Sequence, residues 1–145
     1  MDAYRFIADC DKVISHFGMW PSFHDGEVYR LVFDRPSKSA AGASVPSIEL
    51  TLRGWVMSRD VWKVAAEAVV QILFEDVFDV ELEGFNNQNV ITALNLSTIG
   101  DAGEAVQSLH VELEHCYQFS CEFKARRARV LTVSPCRATD QSQAE

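Results

Sequence analysis

The sequence LHVELEHCYQFSCEFK, residues 109–124, alternates apolar and polar side chains on both sides of an interruption at His115 and Cys116. A period of two is that of a β-strand with one buried face and one solvent face, which is typical of antiparallel sheets. We therefore predict two strands here. The side chains expected to face the core are Leu109, Val111, Leu113, Tyr117, Phe119, Cys121 and Phe123.

The same alternation predicts further antiparallel strands elsewhere, separated by small or turn-forming residues. Residues 35–47, RPSKSAAGASVPS, are such a stretch and predict a surface loop. Residues 137–145 are polar and predict a frayed tail. The further strands are expected at 29–34, 48–53, 80–83 and 127–134.

Residues 60–74, DVWKVAAEAVVQILF, fit two structures. The alanines favour a helix, whereas Val70, Ile72 and Phe74 favour a strand. We predict a strand in the second half of this segment, followed by a tight turn at Glu75-Asp76.

The amino-terminal segment is predicted to be a helix with one apolar stripe and a carboxy-terminal cap at Gly18. The fold class is therefore α+β, an antiparallel β-sheet with an N-terminal amphipathic helix packed on it. We expect a single domain over residues 1–136, since 145 residues suffice for one core. The apolar stripe of the predicted amino-terminal helix consists of Phe6, Cys10, Val13, Ile14 and Phe17.

The composition is that of an average soluble globular protein, with 48% hydrophobic and 23% charged residues. The apolar runs are too short to cross a bilayer and residues 1–12 carry acids, so we expect no membrane association and a cytoplasmic location. The four cysteines form no C-x-x-C pair, which indicates reduced thiols and no zinc or redox motif.

The net charge of −8 is unevenly distributed, because no lysine or arginine occurs between Lys63 and Lys124. The predicted strands turn five of the glutamates in this interval to one solvent face. Such a face repels nucleic acid and attracts basic proteins, although solubility alone also explains it. The basic run from Lys124 to Arg129 is short and lacks aromatics, so we predict no nucleic-acid binding. The five glutamates predicted on the solvent face are Glu81, Glu83, Glu112, Glu114 and Glu122.

Residues 18–27, GMWPSFHDGE, contain an adjacent His24 and Asp25. In an extended segment neighbours point to opposite sides, so Asp25 is not expected to orient His24 for catalysis. The four histidines also lack metal-site spacing. We predict a structural corner in which Asp25 accepts backbone N–H groups while Trp20 and Phe23 enter the core. No catalytic residue, metal or cofactor is assigned.

Residues 84–91, GFNNQNVI, contain four consecutive amide side chains. Such side chains bond local backbone, so we predict a rigid turn built by Asn86, Gln88 and Asn89. A cluster of amides that contacts a ligand is the alternative.

Three stretches together resemble the bacterial family called immunity protein 50. They are FGMWPSFHDGEV near the front, GFNNQNVI in the middle, and F-x-C-x-F followed by VLTVSP at the end. The resemblance spans the chain from the first helix to Pro135. It implies an antitoxin, not an enzyme, that binds the toxin made beside it so that the producing cell survives.

The implied partner is a cognate toxin, and a basic nuclease domain would suit the acidic face. We expect contact through Glu81, Glu83, Glu112 and Glu114, with Trp55 or Trp62 as an aromatic anchor. One alternative is a small-molecule or metal-binding module at His24, Asp25 and the turn of residues 86–89. Another is a structural homo-oligomer, which needs a large exposed apolar patch.

Overall fold

A sheet of six strands dominates the part of the chain that the computed structural model describes, which is residues 2–36, 38, 42, 44–58, 63–100 and 107–136. Trp62, the predicted tail and part of the predicted 35–47 loop lie outside these ranges. A 3-10 helix (Ala3–Phe6) and helix α1 (Asp11–Phe17) precede the sheet. The strands are β1 (Glu27–Asp34), β2 (Ser47–Met57), β3 (Val64–Glu83), β4 (Leu94–Ile99), β5 (Ser108–Leu113) and β6 (Ser120–Pro135).

The strands lie in the order β1-β2-β3-β6-β5-β4, and each neighbouring pair is antiparallel. One face carries the core, on which α1 packs against β3 and β6. Buried Leu109 and Val111 of β5 alternate with half-buried polar residues, and Val13 and Phe17 of α1 join the same core. We call the opposite side of the sheet, to which Glu112 belongs, the outer face. The predicted α+β class is confirmed.

Strand β3 runs unbroken for 20 residues, so the tight turn predicted at Glu75-Asp76 is wrong. Asp76 and Asp79 adopt φ angles of 56° and 54°, and the register with β6 shifts between Phe78 and Glu81. Aspartate tolerates left-handed backbone better than most residues, so the strand bends at these points without ending. The helical alternative for this segment is also wrong from Val64 onward.

Strand β6 joins two strands that the alternation predicted separately. Tyr117 lies before it, in the connection from β5, and is 79% exposed, so its predicted place in the core is wrong. The alternation continues through Tyr117, Gln118 and Phe119, but no strand among the described residues pairs with this connection. Phe119, Cys121 and Phe123 are buried as predicted.

The amino-terminal stripe is not one helix. Asp9 has a φ of 61°, and Ala8 pairs instead with β6: its N–H donates to Ala128 O and its carbonyl accepts from Val130 N, both at 2.9 Å. Helix α1 begins only afterwards. The predicted cap is confirmed, since Gly18 has a φ of 81° and its N–H donates to Ile14 O.

Strand β1 differs from its prediction because the register shifts between Val28 and Arg30. The shift leaves Val28 buried and Tyr29 exposed. Phe33, towards the far end of the strand, is 47% exposed. The core contribution of β1 therefore lies mainly at its beginning.

Candidate functional site

Three neighbouring strands bring the predicted glutamates together at one end of the sheet. Glu81 of β3 lies opposite Glu122 of β6, and Glu122 lies opposite Glu112 of β5. Glu83 follows on β3, opposite Ser120. The predicted common orientation is therefore present, since the neighbours of Glu112 and Glu122 along their strands are buried. The acidic cluster consists of Glu81, Glu83, Glu112, Glu114 and Glu122.

The acidic cluster, except for Glu114, borders a concavity of about 260 Å³ that also includes His115 and Ser120. Cys121 lies in its wall. Burial, reinforced by the charge of Glu122, raises the pKa of the Cys121 thiol to about 11. Because only the thiolate is a strong nucleophile, this cysteine is inert at neutral pH.

The acidic cluster has few counter-charges among the described residues. Asn95 Nδ2 donates to Glu112 Oε1 at 3.0 Å and to Glu114 Oε1 at 2.7 Å. His110 Nε2 lies 3.3 Å from Glu122 Oε1. Within the described part of the chain, the side chains of Glu81 and Glu83 have no hydrogen bond or ion pair, and both residues are exposed.

Two cations of the basic run lie further along β6 and already have partners. Lys124 Nζ is 3.0 Å from Asp79 Oδ2, and Arg126 Nη1 is 3.4 Å from Asp76 Oδ1. Both cations also lie over the ring of Phe78. Acids of β3 therefore neutralise these two cations of the run.

Trp55 lies far from the acidic cluster. It is half-buried on β2 opposite Glu67, and roughly 45 Å of β3 separates Glu67 from Glu81. Its neighbour Arg53 pairs with Glu67 and donates to Tyr29 Oη at 3.2 Å. Burial alone would lower the pKa of Arg53, but its hydrogen bonds to Tyr29 and Glu67 raise it. This end of the sheet is held by internal polar contacts.

His24 and Asp25 lie side by side, so their predicted opposite orientation is wrong. Phe23 and Asp25 have φ angles of 60° and 59°, so the chain turns here and the rule for extended segments does not apply. His24 Nε2 lies 3.4 Å from Asp25 Oδ2, and both side chains are more than half exposed. His24 Nδ1 is 2.9 Å from Thr92 O. A carbonyl only accepts, so Nδ1 carries the proton.

The backbone around this pair joins the start of β1 to the segment that precedes β4. Leu94 N donates to Ser22 O, Ile91 N donates to Gly26 O, and Val28 N donates to Asn89 O, each at 2.9 Å. Since β1 and β4 are the two edge strands, these bonds tie the edges of the sheet together at one end. We call residues 20–28, together with residues 89–94, the seam.

The side chains of the seam are tightly packed. Phe23 is fully buried, stands edge-on to Trp20 with ring centroids 6.0 Å apart, and occupies the space beside Gly54. A Cβ at Gly26 would lie 2.8 Å from Phe23 O. The predicted anchoring is confirmed, but Asp25 is not the acceptor in this turn: the His24 N–H donates to the Ser22 Oγ side chain at 3.3 Å, and Gly26 N donates to Phe23 O at 2.9 Å.

The amide-rich stretch forms the predicted hydrogen-bonded turn. Asn89 is buried; its Oδ1 accepts from Asn86 N and its Nδ2 donates to Asn86 O, both at 2.8 Å. Asn86 Oδ1 in turn accepts from Gln88 N at 2.8 Å. The cavity beside this turn includes Tyr117 but neither His24 nor Asp25. The convergence that a joint ligand site would require is therefore missing from that cavity.

The described residues also bear on metal binding and on membrane insertion. No group of three or more histidine, cysteine or acidic side chains there could hold a metal ion. No helix there is long and apolar enough to span a membrane. The cysteines in this part of the chain are free thiols.

Sequence reasoning missed two residues at the acidic end, His115 and Tyr117. The alternation assigned Tyr117 to the core and gave His115 no role. The available signal was the length of the segment that connects β5 to β6. When two consecutive strands pair with each other, the residues that connect them lie at the end of the sheet and are exposed, and His115 and Tyr117 belong to this segment.

No curated protein and no solved structure is significantly similar to this chain. A family model does match it, over residues 9–136, and this range contains the seam, the amide turn and the whole acidic cluster. The chain therefore belongs to the immunity protein 50 family.

Proposed function

We propose that this immunity protein neutralises a cognate toxin by direct binding through the acidic cluster. The observation that carries the proposal is the row Glu81–Glu122–Glu112, in which three carboxylates lie directly opposite one another on adjacent strands. Family membership supports a toxin as the partner. The acidic cluster supports a basic surface on that toxin.

The energetics of the row favour a binding role over a structural one. Like charges opposite one another destabilise a sheet by a few tenths to about 1 kcal/mol per pair. Solubility would be served equally by charges placed apart. A cationic partner would remove this repulsion on binding, and the field of the cluster would accelerate the encounter.

The mechanism that follows is stoichiometric occlusion in the cytoplasm of the producing bacterium. The protein covers a basic functional surface of the toxin, as a nuclease domain would present, and carries out no chemistry itself. Selectivity then comes from shape and charge matched to one toxin.

The test compares two double variants that change the net charge equally. The first variant combines Glu81→Lys with Glu112→Lys. Both lysines then lie opposite Glu122, and opposite charges in these positions favour strand pairing. Asp34→Lys with Glu49→Lys makes the same change on β1 and β2. We expect the first variant to weaken binding of the toxin domain encoded beside this gene by roughly 10- to 100-fold at low salt.

The salt dependence separates this mechanism from general charge effects. The loss should shrink as the ionic strength rises, because the ions screen the contacts that the variant removes. The Asp34 and Glu49 variant should bind within about threefold of the wild type. Equal losses in both variants would contradict the assignment of the acidic cluster.

A toxin contact through His24 and Asp25, in place of the acidic cluster, is tested in the same assay. His24→Ala removes the bond to Thr92 O from an exposed side chain, so we expect unchanged toxin affinity. If His24→Ala folds normally but loses affinity for the toxin, the toxin-binding site lies at the seam and not at the acidic cluster.

A further inference from the structure

The two connections at the acidic end touch each other. Gly84, in the connection from β3 to β4, has a φ of 68°, and a Cβ there would overlap the carbonyl of Gln118. Gln118 belongs to the connection from β5 to β6. This close backbone contact holds the two connections against each other and fixes their relative position.

Aromatic side chains project from both connections. Tyr117 is 79% exposed, the largest exposure among the large apolar side chains of the described residues, and Phe85 is 48% exposed. Phe85 rests edge-on against the buried Phe119, with ring centroids 6.0 Å apart. Single exposed aromatics are common, but here two lie on connections in contact with each other.

These aromatics adjoin the acidic cluster. Tyr117 follows His115 by two residues and precedes Ser120 by three, and both of those residues line the acidic concavity. Tyr117 itself borders a second cavity of about 200 Å³, together with Phe119 and Val90. Gln118 and Phe119 line this second cavity, and the next residue, Ser120, lines the acidic concavity. One end of the sheet therefore presents negative charge and exposed aromatic surface next to each other.

We propose that Tyr117, with Phe85 on the adjoining connection, is the aromatic anchor of the toxin contact, in the role that the sequence suggested for Trp55 or Trp62. This inference rests on the proposed function. The matching partner is a cationic segment of the toxin with an arginine or lysine. Its charged group enters the acidic concavity while its stem or guanidinium packs on the tyrosine ring. Exposed tyrosines beside a charged rim are typical binding hot spots.

The experiment measures binding of the inactivated toxin domain encoded beside this gene. Tyr117→Ala should raise the Kd at least about tenfold, while Tyr117→Phe, which keeps the ring, should stay within about threefold. Phe33→Ala is the matched control, an exposed aromatic on β1, and should leave the Kd within about twofold. The melting temperature of Tyr117→Ala should equal that of the wild type, since the side chain is exposed.

The outcomes distinguish this inference from the proposed function. The loss caused by Tyr117→Ala should be the same at low and high salt, unlike that of the charge variants. If Tyr117→Ala binds as tightly as the wild type, the anchor is wrong while the acidic contact stands. If the wild type does not bind this toxin, the proposed function fails and the anchor fails with it.

Discussion

The seam and the acidic cluster both place a histidine beside a carboxylate, yet they use their polar groups in opposite ways. At the seam, His24 bonds Thr92 O, and three backbone bonds join the sheet edges. In the acidic cluster, Glu81 of β3 lies opposite Glu122 of the adjacent strand β6. Polar groups satisfied within the chain hold the fold, whereas opposed like charges remain available to a partner.

The largest expected effect is at the seam, where Phe23→Ala should lower the free energy of unfolding by about 3–5 kcal/mol. The ring is fully buried and fills the space beside Gly54, so its removal leaves a cavity. Phe33→Ala, at a half-exposed ring, should cost about 1 kcal/mol or less. Denaturant unfolding measures both. Similar losses at the two positions would end the distinction between a packed seam and an exposed edge.

A smaller loss, of about 2 kcal/mol, is expected for Asn89→Ala. The buried amide accepts from Asn86 N and donates to Asn86 O, and its removal deletes both of these bonds. Asn87→Ala is the matched control because Asn87 is exposed, and its effect should lie within about 0.5 kcal/mol. Chemical denaturation of the two variants in parallel is the measurement. A stable Asn89→Ala variant would mean that the amide turn is not structural.

The smallest effect has the opposite sign, because Glu81→Gln should stabilise the protein by about 0.5 kcal/mol. It removes one of the two carboxylates that face Glu122, and it should weaken toxin binding at the same time. Glu49→Gln, which lies between Val32 and Leu73 on the outer face, should change neither property. The stability gain should decline with added salt. A destabilised Glu81→Gln variant would show that the acidic row supports the fold.

Alternation of side chains predicted most of the fold, since one buried face imposes a period of two on each strand. It correctly predicted which side of β5 and β6 is buried, and hence that Glu112 and Glu122 share the outer face. It failed where backbone conformation, not burial, sets the path. Asp76 and Asp79 bend β3 without ending it, and Asp9 interrupts the amino-terminal stripe.

The spatial relations within the candidate site required the structure. Strand order and register placed Glu81 opposite Glu122, and no local pattern contains that information. The same holds for the seam, whose two segments are far apart in the sequence. His24 and Asp25 were expected on opposite sides because the left-handed conformations of Phe23 and Asp25 leave no signal in the residue types.

Amide hydrogen exchange of the free protein and of its toxin complex tests the central claim most directly. Backbone amides outside the regular strands occur at the acidic end, in residues 114–119, and in residues 19–25, which include the start of the seam, so one experiment reports on both. We expect exchange in 114–119 to slow by at least about tenfold on binding, while 19–25 exchanges as in the free protein. Protection of 19–25 with unchanged exchange at 114–119 would contradict the account.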